Sequence, residues 1–235
     1  MRTTFRFARK SHERGPTKAR IFLNNRWGLY LGWERIPNNE HVKRALEIAA
    51  IREHLTPVTL IYYDKFIAES FRADARYLGV DVFLVKPCPC GYLGLEECEC
   101  SPAKLRRYHQ SAAWKFAIKR PIQVLVFGPN PLEIPTLFEK VWGETLDAVA
   151  RRVRAAQNIY PKGFLPEAYD ALRKLTTQRR WDSERIVQVA EVAKNICALD
   201  GELFVNERHI FEAASYSEAG EMIVWAARKK MKEAS

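Results

Sequence analysis

Apolar positions along this chain alternate between strand-like runs and helical spacing, and the changes mark its elements. Arg20–Asn24 and Trp27–Gly32 are short runs rich in Ile, Leu, Phe and Tyr, and read as strands. After a Pro37-Asn38-Asn39 turn, Val42, Ala45, Leu46 and Ala49 recur every three or four positions, which predicts a helix running from an Asn39 cap to His54. Val58–Tyr63 (VTLIYY) is a short, β-branched apolar run between Pro57 and Asp64, as expected of a buried strand. Phe66–Leu78 returns to helical spacing and stops at Gly79, and Asp81–Val85 is again a strand. Strand, helix, strand, helix, strand is the pattern of a parallel sheet with crossover helices.

Farther along, Pro102–Ala117 predicts one helix, with Ser101 as its cap and proline at its first position. Ile122–Phe127 (IQVLVF) is a further strand. Beyond Pro135 the pattern is helical throughout. One helix starts at Ile134 or Thr136, and others cover 144–160, 165–175, 183–199 and 206–232. The expected fold class is α/β: a basic arm over 1–20, a core over 21–141 with a cysteine loop at 86–102, and a helical domain over 142–235.

Composition narrows the function. A hydrophobic fraction of 47% over 235 residues excludes a disordered chain and supports a core without disulfides. The first ten residues are basic, but no apolar run of signal length follows them, and Val58–Tyr63 is far too short to span a bilayer. The expectation is a soluble, cytoplasmic protein. The formal charge of +10, from 38 Lys and Arg against 28 Asp and Glu, favours polyanions and chiefly nucleic acid. Seven of the cations fall in the first twenty residues. Candidate phosphate contacts farther on are Lys104, Arg106, Arg107, Lys115, Lys119, Arg120, Arg151 and Arg152, with solvated helix faces as the plainer reading of any one cluster. Basic clusters also lie at Arg179–Arg180 and Arg228–Lys232.

Four of the five cysteines crowd into Cys88, Cys90, Cys98 and Cys100, two C-x-C pairs seven residues apart. Four thiolates suit a closed tetrahedral zinc site, and Gly91 and Gly94 permit the tight turns that wrapping one ion requires. An iron–sulfur cluster would use the same ligands, and four free thiols are the remaining reading. Cys197 lies on an apolar helix face and reads as core, and His109 reads as a surface helix position rather than a spare ligand. No G-x-S-x-G or H-E-x-x-H motif occurs, and Glu96–Glu97 reads as a solvated pair. Trp27 and Trp33 lie amid Arg26, Tyr30 and Arg35, where core packing is a simpler account than stacking on bases.

The loop also resembles a family. Val82-Phe83-Leu84-Val85-Lys86-Pro87-Cys88-Pro89-Cys90-Gly91-Tyr92-Leu93-Gly94, then Cys98-Glu99-Cys100-Ser101-Pro102 and Arg107-Tyr108, is similar to the N-P-C-P-C-G-Y-L-G…C-x-C-[ST]-P…R-Y block of ComM-type, magnesium-chelatase-like AAA+ ATPases. Three further blocks follow in the family's order. They are Gly143-Glu144 with Val149, Arg152, Val153, Ala155, Ala156 and Gln157; Arg185–Ala190 (RIVQVA); and Leu199-Asp200-Gly201 with His209–Ala213 (HIFEA) and Tyr216. The likeness covers residues 81–235 and implies a truncated AAA+-like sheet, a zinc loop and a helical lid in which His209 makes a structural contact.

The ATP chemistry of that family is missing. No G-x-x-x-x-G-K-[ST] occurs to cradle phosphates. Leu60–Asp64 resembles a Walker B strand, but Lys65 replaces its glutamate, and Lys86 replaces the sensor asparagine. The arginine-finger segment becomes Ala112–Arg120, and the lid's sensor arginine falls at Trp181, next to Arg180. Phosphoryl transfer depends almost wholly on such groups, so ATP is not an expected cofactor. The family's DNA-remodelling activity makes DNA the favoured partner, ahead of RNA, for a non-catalytic zinc-containing relative. Two alternatives remain: a divergent ATPase with a phosphate loop near Gly28–Gly32, and a regulator that docks on an intact ATPase ring through the lid.

Overall fold

β1 (Val58–Tyr62) is apolar at nearly every position because the sheet it centres is covered on both faces. The computed structural model describes residues 38–94, 98–127 and 145–233. β1 pairs in parallel with β2 (Val82–Val85), from Val58↔Val82 to Ile61↔Val85. On its other side it pairs in parallel with β3 (Gln123–Val126), from Thr59↔Gln123 to Tyr62↔Val126, giving the order β2-β1-β3. Successive strand residues point to opposite faces. Val58, Leu60, Val124 and Val126 therefore enter one core, and Ile61, Val85 and Leu125 enter a second.

The first core is built with helices. α1 (Asn38–Ile51) contributes Val42, Ala45, Leu46 and Ala49, the periodic positions of its sequence. α2 (Lys65–Tyr77) makes the β1-to-β2 crossover, and the Asp64 carboxylate caps it by accepting from the Ile67 amide at 3.1 Å. α5 (Leu146–Gln157), α6 (Pro166–Arg179), α7 (Ser183–Leu199) and α8 (Glu207–Tyr216) complete this side. The second core lies beneath α3 (Pro102–Gln110), α4 (Ala112–Ile118) and α9 (Ala219–Glu233), together with the cysteine loop.

Three sequence expectations change. The helix expected over 102–117 breaks at Ser111, whose hydroxyl accepts from the Trp114 amide at 3.3 Å and starts α4 anew. The helix expected over 206–232 divides after Tyr216: the Ser217 hydroxyl bonds back to the Ala214 carbonyl at 2.9 Å, and Glu218 turns inward to a buried pair with Arg179. The C-terminal part is not wholly helical either, since β4 (Gly163–Phe164) and β5 (Phe204–Val205) form a small parallel pair. The arm over 1–20, the strands at 20–24 and 27–32, and the helix start near 134–136 lie outside the described residues. Among the described residues no helix is long and apolar enough to cross a membrane.

His209, expected to be structural, is fully buried. Its Nδ1 accepts from the Asn206 amide at 3.1 Å while the Asn206 side chain accepts from the His209 amide at 3.2 Å, a reciprocal cap on α8. Cys197 is buried as expected, its thiol 3.3 Å from the Glu202 carbonyl, and burial pushes that thiol up to about 11.

Candidate metal centre

The first C-x-C pair lies just past the end of β2 and the second just ahead of α3, so a strand end and a helix start hold the four thiols from two directions. Cys88 opens a turn closed by the Gly91 amide on its carbonyl at 3.0 Å. Gly91 and Gly94 adopt φ of 90° and 87°, backbone that an L side chain resists, which is why glycine stands at both positions. The chain re-enters at Cys98, and Ser101 then caps α3 by accepting from the Lys104 amide at 3.4 Å.

All four sulfurs lie within 4.8 Å of one another. Cys88–Cys90 are 3.3 Å apart, Cys90–Cys98 3.7 Å and Cys88–Cys98 4.0 Å. A disulfide requires about 2.05 Å, so these are free thiols. Four sulfurs at the corners of a tetrahedron with metal–sulfur bonds of about 2.3 Å sit roughly 3.8 Å apart, and these three separations bracket that value. The cluster can hold a metal ion. Cys88, Cys98 and Cys100 are buried, so a bound ion is largely closed off from water. Burial pushes the Cys88 thiol well up. At Cys90 burial acts in the same sense, but hydrogen bonds from the Tyr92 backbone and neighbouring thiols outweigh it and bring the thiol down to about 7.

The loop backbone is held by donors from three other elements. Tyr63, just after β1, donates to the Leu93 carbonyl at 3.0 Å. From α3, Tyr108 donates to the Lys86 carbonyl at 2.8 Å, and His109 Nε2 lies 2.9 Å from the Pro87 carbonyl. From α9, Lys230 Nζ bonds the Cys98 carbonyl. Each bond gives a loop carbonyl a partner, and Lys230 adds positive charge beside the four sulfurs. His109 is half-buried, with its ring 4.6 Å from that of Trp114, so it acts as a support and not as the surface residue its position suggested. The link from Lys230 to the loop had no sequence signal, since 132 residues separate it from Cys98.

The candidate phosphate contacts fall into two groups. Lys104, Arg106 and Arg107 are exposed on α3, and Lys115 and Lys119 are exposed on and just after α4. Arg120 lays its guanidinium 3.8 Å above the ring of Phe116. Residues 102–120 contain no acidic side chain, and among the described residues none of these six cations pairs with a carboxylate. Arg151 and Arg152 lie on α5, which packs into the first core. Arg151 is exposed, whereas Arg152 is paired to Glu47 of α1.

No family model, no curated protein and no solved structure matches the chain.

Proposed function

We propose that this protein is a non-catalytic nucleic-acid-binding module of AAA+ descent, in which a structural zinc ion in the Cys88–Cys90–Cys98–Cys100 cluster fixes a basic surface. One observation carries the reading: two consecutive helices, α3 and α4, together with the turn after them, carry six cations and no acid. Elsewhere several arginines pair with carboxylates: Arg44 with Asp200 and Glu212, Arg208 with Asp200, Arg152 with Glu47 and Arg179 with Glu218. Cations left without carboxylates at a surface bind phosphates and release counterions, giving sequence-tolerant, salt-dependent association.

Zinc fits the ligand set better than other ions because four sulfurs at tetrahedral separations are its usual structural site. The bound ion would join the end of β2 to the start of α3 and hold that helix rigidly, with no part in chemistry. DNA is the favoured polyanion on the family resemblance of residues 81–235. Asp64, the acid that a divergent ATPase would need for its metal, already caps α2.

The test is binding of labelled DNA and RNA across a salt series, on protein assayed for zinc. One equivalent of zinc and micromolar or tighter binding with a steep salt slope are expected. The double variant Arg106→Ala, Arg107→Ala should flatten that slope by roughly 2 and lower affinity for all sequences alike. A variant that binds as the parent does, or a parent that binds no nucleic acid near physiological salt, overturns the reading.

A further inference from the structure

The basic face carries an aromatic side chain that its surroundings leave largely exposed. Phe116 is 42% exposed on α4 and flanked by Lys115, Lys119 and Arg120. Its ring meets Phe83 of β2 edge-on, with centroids 5.3 Å apart and planes inclined at 68°. The half-buried Arg120 places its guanidinium 3.8 Å over the same ring, a cation–π pair beside the exposed phenyl. Phe83 backs the Phe116 ring from the sheet side. Trp114, two residues earlier, is wholly buried and shows how this helix treats an aromatic needed for its core.

Flat π groups beside cations that pair with no carboxylate among the described residues suit a polyanion whose own flat groups are accessible. In duplex DNA the bases are stacked on one another, and only phosphates and groove edges are presented. In a single strand each base can leave its neighbour and lie on an aromatic ring or a guanidinium plane, while nearby cations hold its phosphates. We infer that the Phe116–Arg120 pair is a base-stacking platform that makes this surface prefer single-stranded nucleic acid over duplex. The inference rests on the nucleic-acid reading above and specifies its ligand: Lys115 and Lys119 contact phosphates, and Phe116 with Arg120 takes an unpaired base.

The test compares a labelled mixed-sequence single strand with the same strand annealed to its complement, at one salt concentration, on the zinc-loaded full chain. Phe116→Leu keeps apolar bulk against Phe83 and removes the π face, and Phe116→Trp keeps the face. The parent should bind the single strand more tightly. Phe116→Leu should lose roughly 5- to 100-fold on the single strand and less than about twofold on the duplex, while Phe116→Trp retains the preference. Unchanged zinc content and melting temperature show that each variant is folded. Equal losses on both ligands, or no loss on the single strand, overturn the platform and leave the nucleic-acid reading standing. If the parent binds neither ligand, both fall together.

Discussion

Gly220 illustrates how much a single position can decide in this chain. A Cβ there would lie 2.5 Å from Cγ2 of Ile118 and 2.6 Å from Oε1 of Gln123, so the start of α9 reaches the end of α4 only because the side chain is absent. Gln123, fully buried in a strand of apolar neighbours, secures the approach. Its amide nitrogen donates to the Ile118 and Arg120 carbonyls, each at 2.8 Å, and its oxygen accepts from the Gly220 amide at 2.9 Å. With its partners in place a buried amide stabilises; with them displaced it costs the full desolvation of its polar atoms. Gly220→Ala is therefore expected to destabilise by about 1–3 kcal/mol, lowering the melting temperature by roughly 2–4 °C for each kcal/mol. Gly163→Ala, where nothing lies within 4 Å and φ is ordinary, should stay within about 0.5 kcal/mol of the parent. Thermal melts of the two variants decide it, and equal melting temperatures would refute the close approach. The amide in β3 is visible in the sequence, but the backbone donor 97 residues away is not.

At the scale of elements, legibility follows sequence separation. The cysteine cluster could be read because all four ligands fall within Cys88–Cys100, and the parallel sheet because each strand is a short apolar run with a helix between it and the next. The breaks at Ser111 and Ser217 are hidden because helical periodicity continues across them, and the competing hydroxyl bonds leave no trace in an apolar pattern. The place of α9 is hidden as well. Grouped in sequence with the helical domain, it buries Met222, Ile223, Ala226 and Ala227 with the cysteines, Leu105 and Trp114 in the second core. Metal site and C-terminal helix should then form one cooperative unit. Chelation is expected to strip hydrogen-exchange protection from residues 98–127 and 219–233 while α7 and α8 in the first core keep theirs, with Cys98→Ser giving the same map. Uniform protection after complete metal removal would show that the cluster holds nothing together.

Among the described residues the charge is divided by role, and this division was beyond the sequence because clusters of Lys and Arg look alike until their partners are placed. Asp200 lies between Arg44 at 2.5 Å and Arg208 at 2.7 Å, with His209 Nε2 at 3.4 Å. Burial opposes its ionisation, yet hydrogen bonds from His209 and Arg44 hold its carboxyl well below the usual carboxylate range. Arg179 and Glu218 form a second pair, both almost wholly buried. These arginines hold the first core and its helices together, whereas the cations on α3 and α4 touch no acid among the described residues. Two variants should therefore separate cleanly. Arg179→Ala leaves Glu218 charged and buried without a partner, and is expected to cost about 3–5 kcal/mol in a denaturant melt. Its salt slope for nucleic acid, measured where it is still folded, should equal the parent's. Lys115→Ala with Lys119→Ala should leave stability within about 0.5 kcal/mol per site and reduce the slope by roughly 0.9 for each duplex phosphate that is no longer neutralised. The opposite pattern, a flattened slope from the buried arginine or a lost fold from the surface lysines, would mean that these cations are not partitioned between architecture and ligand.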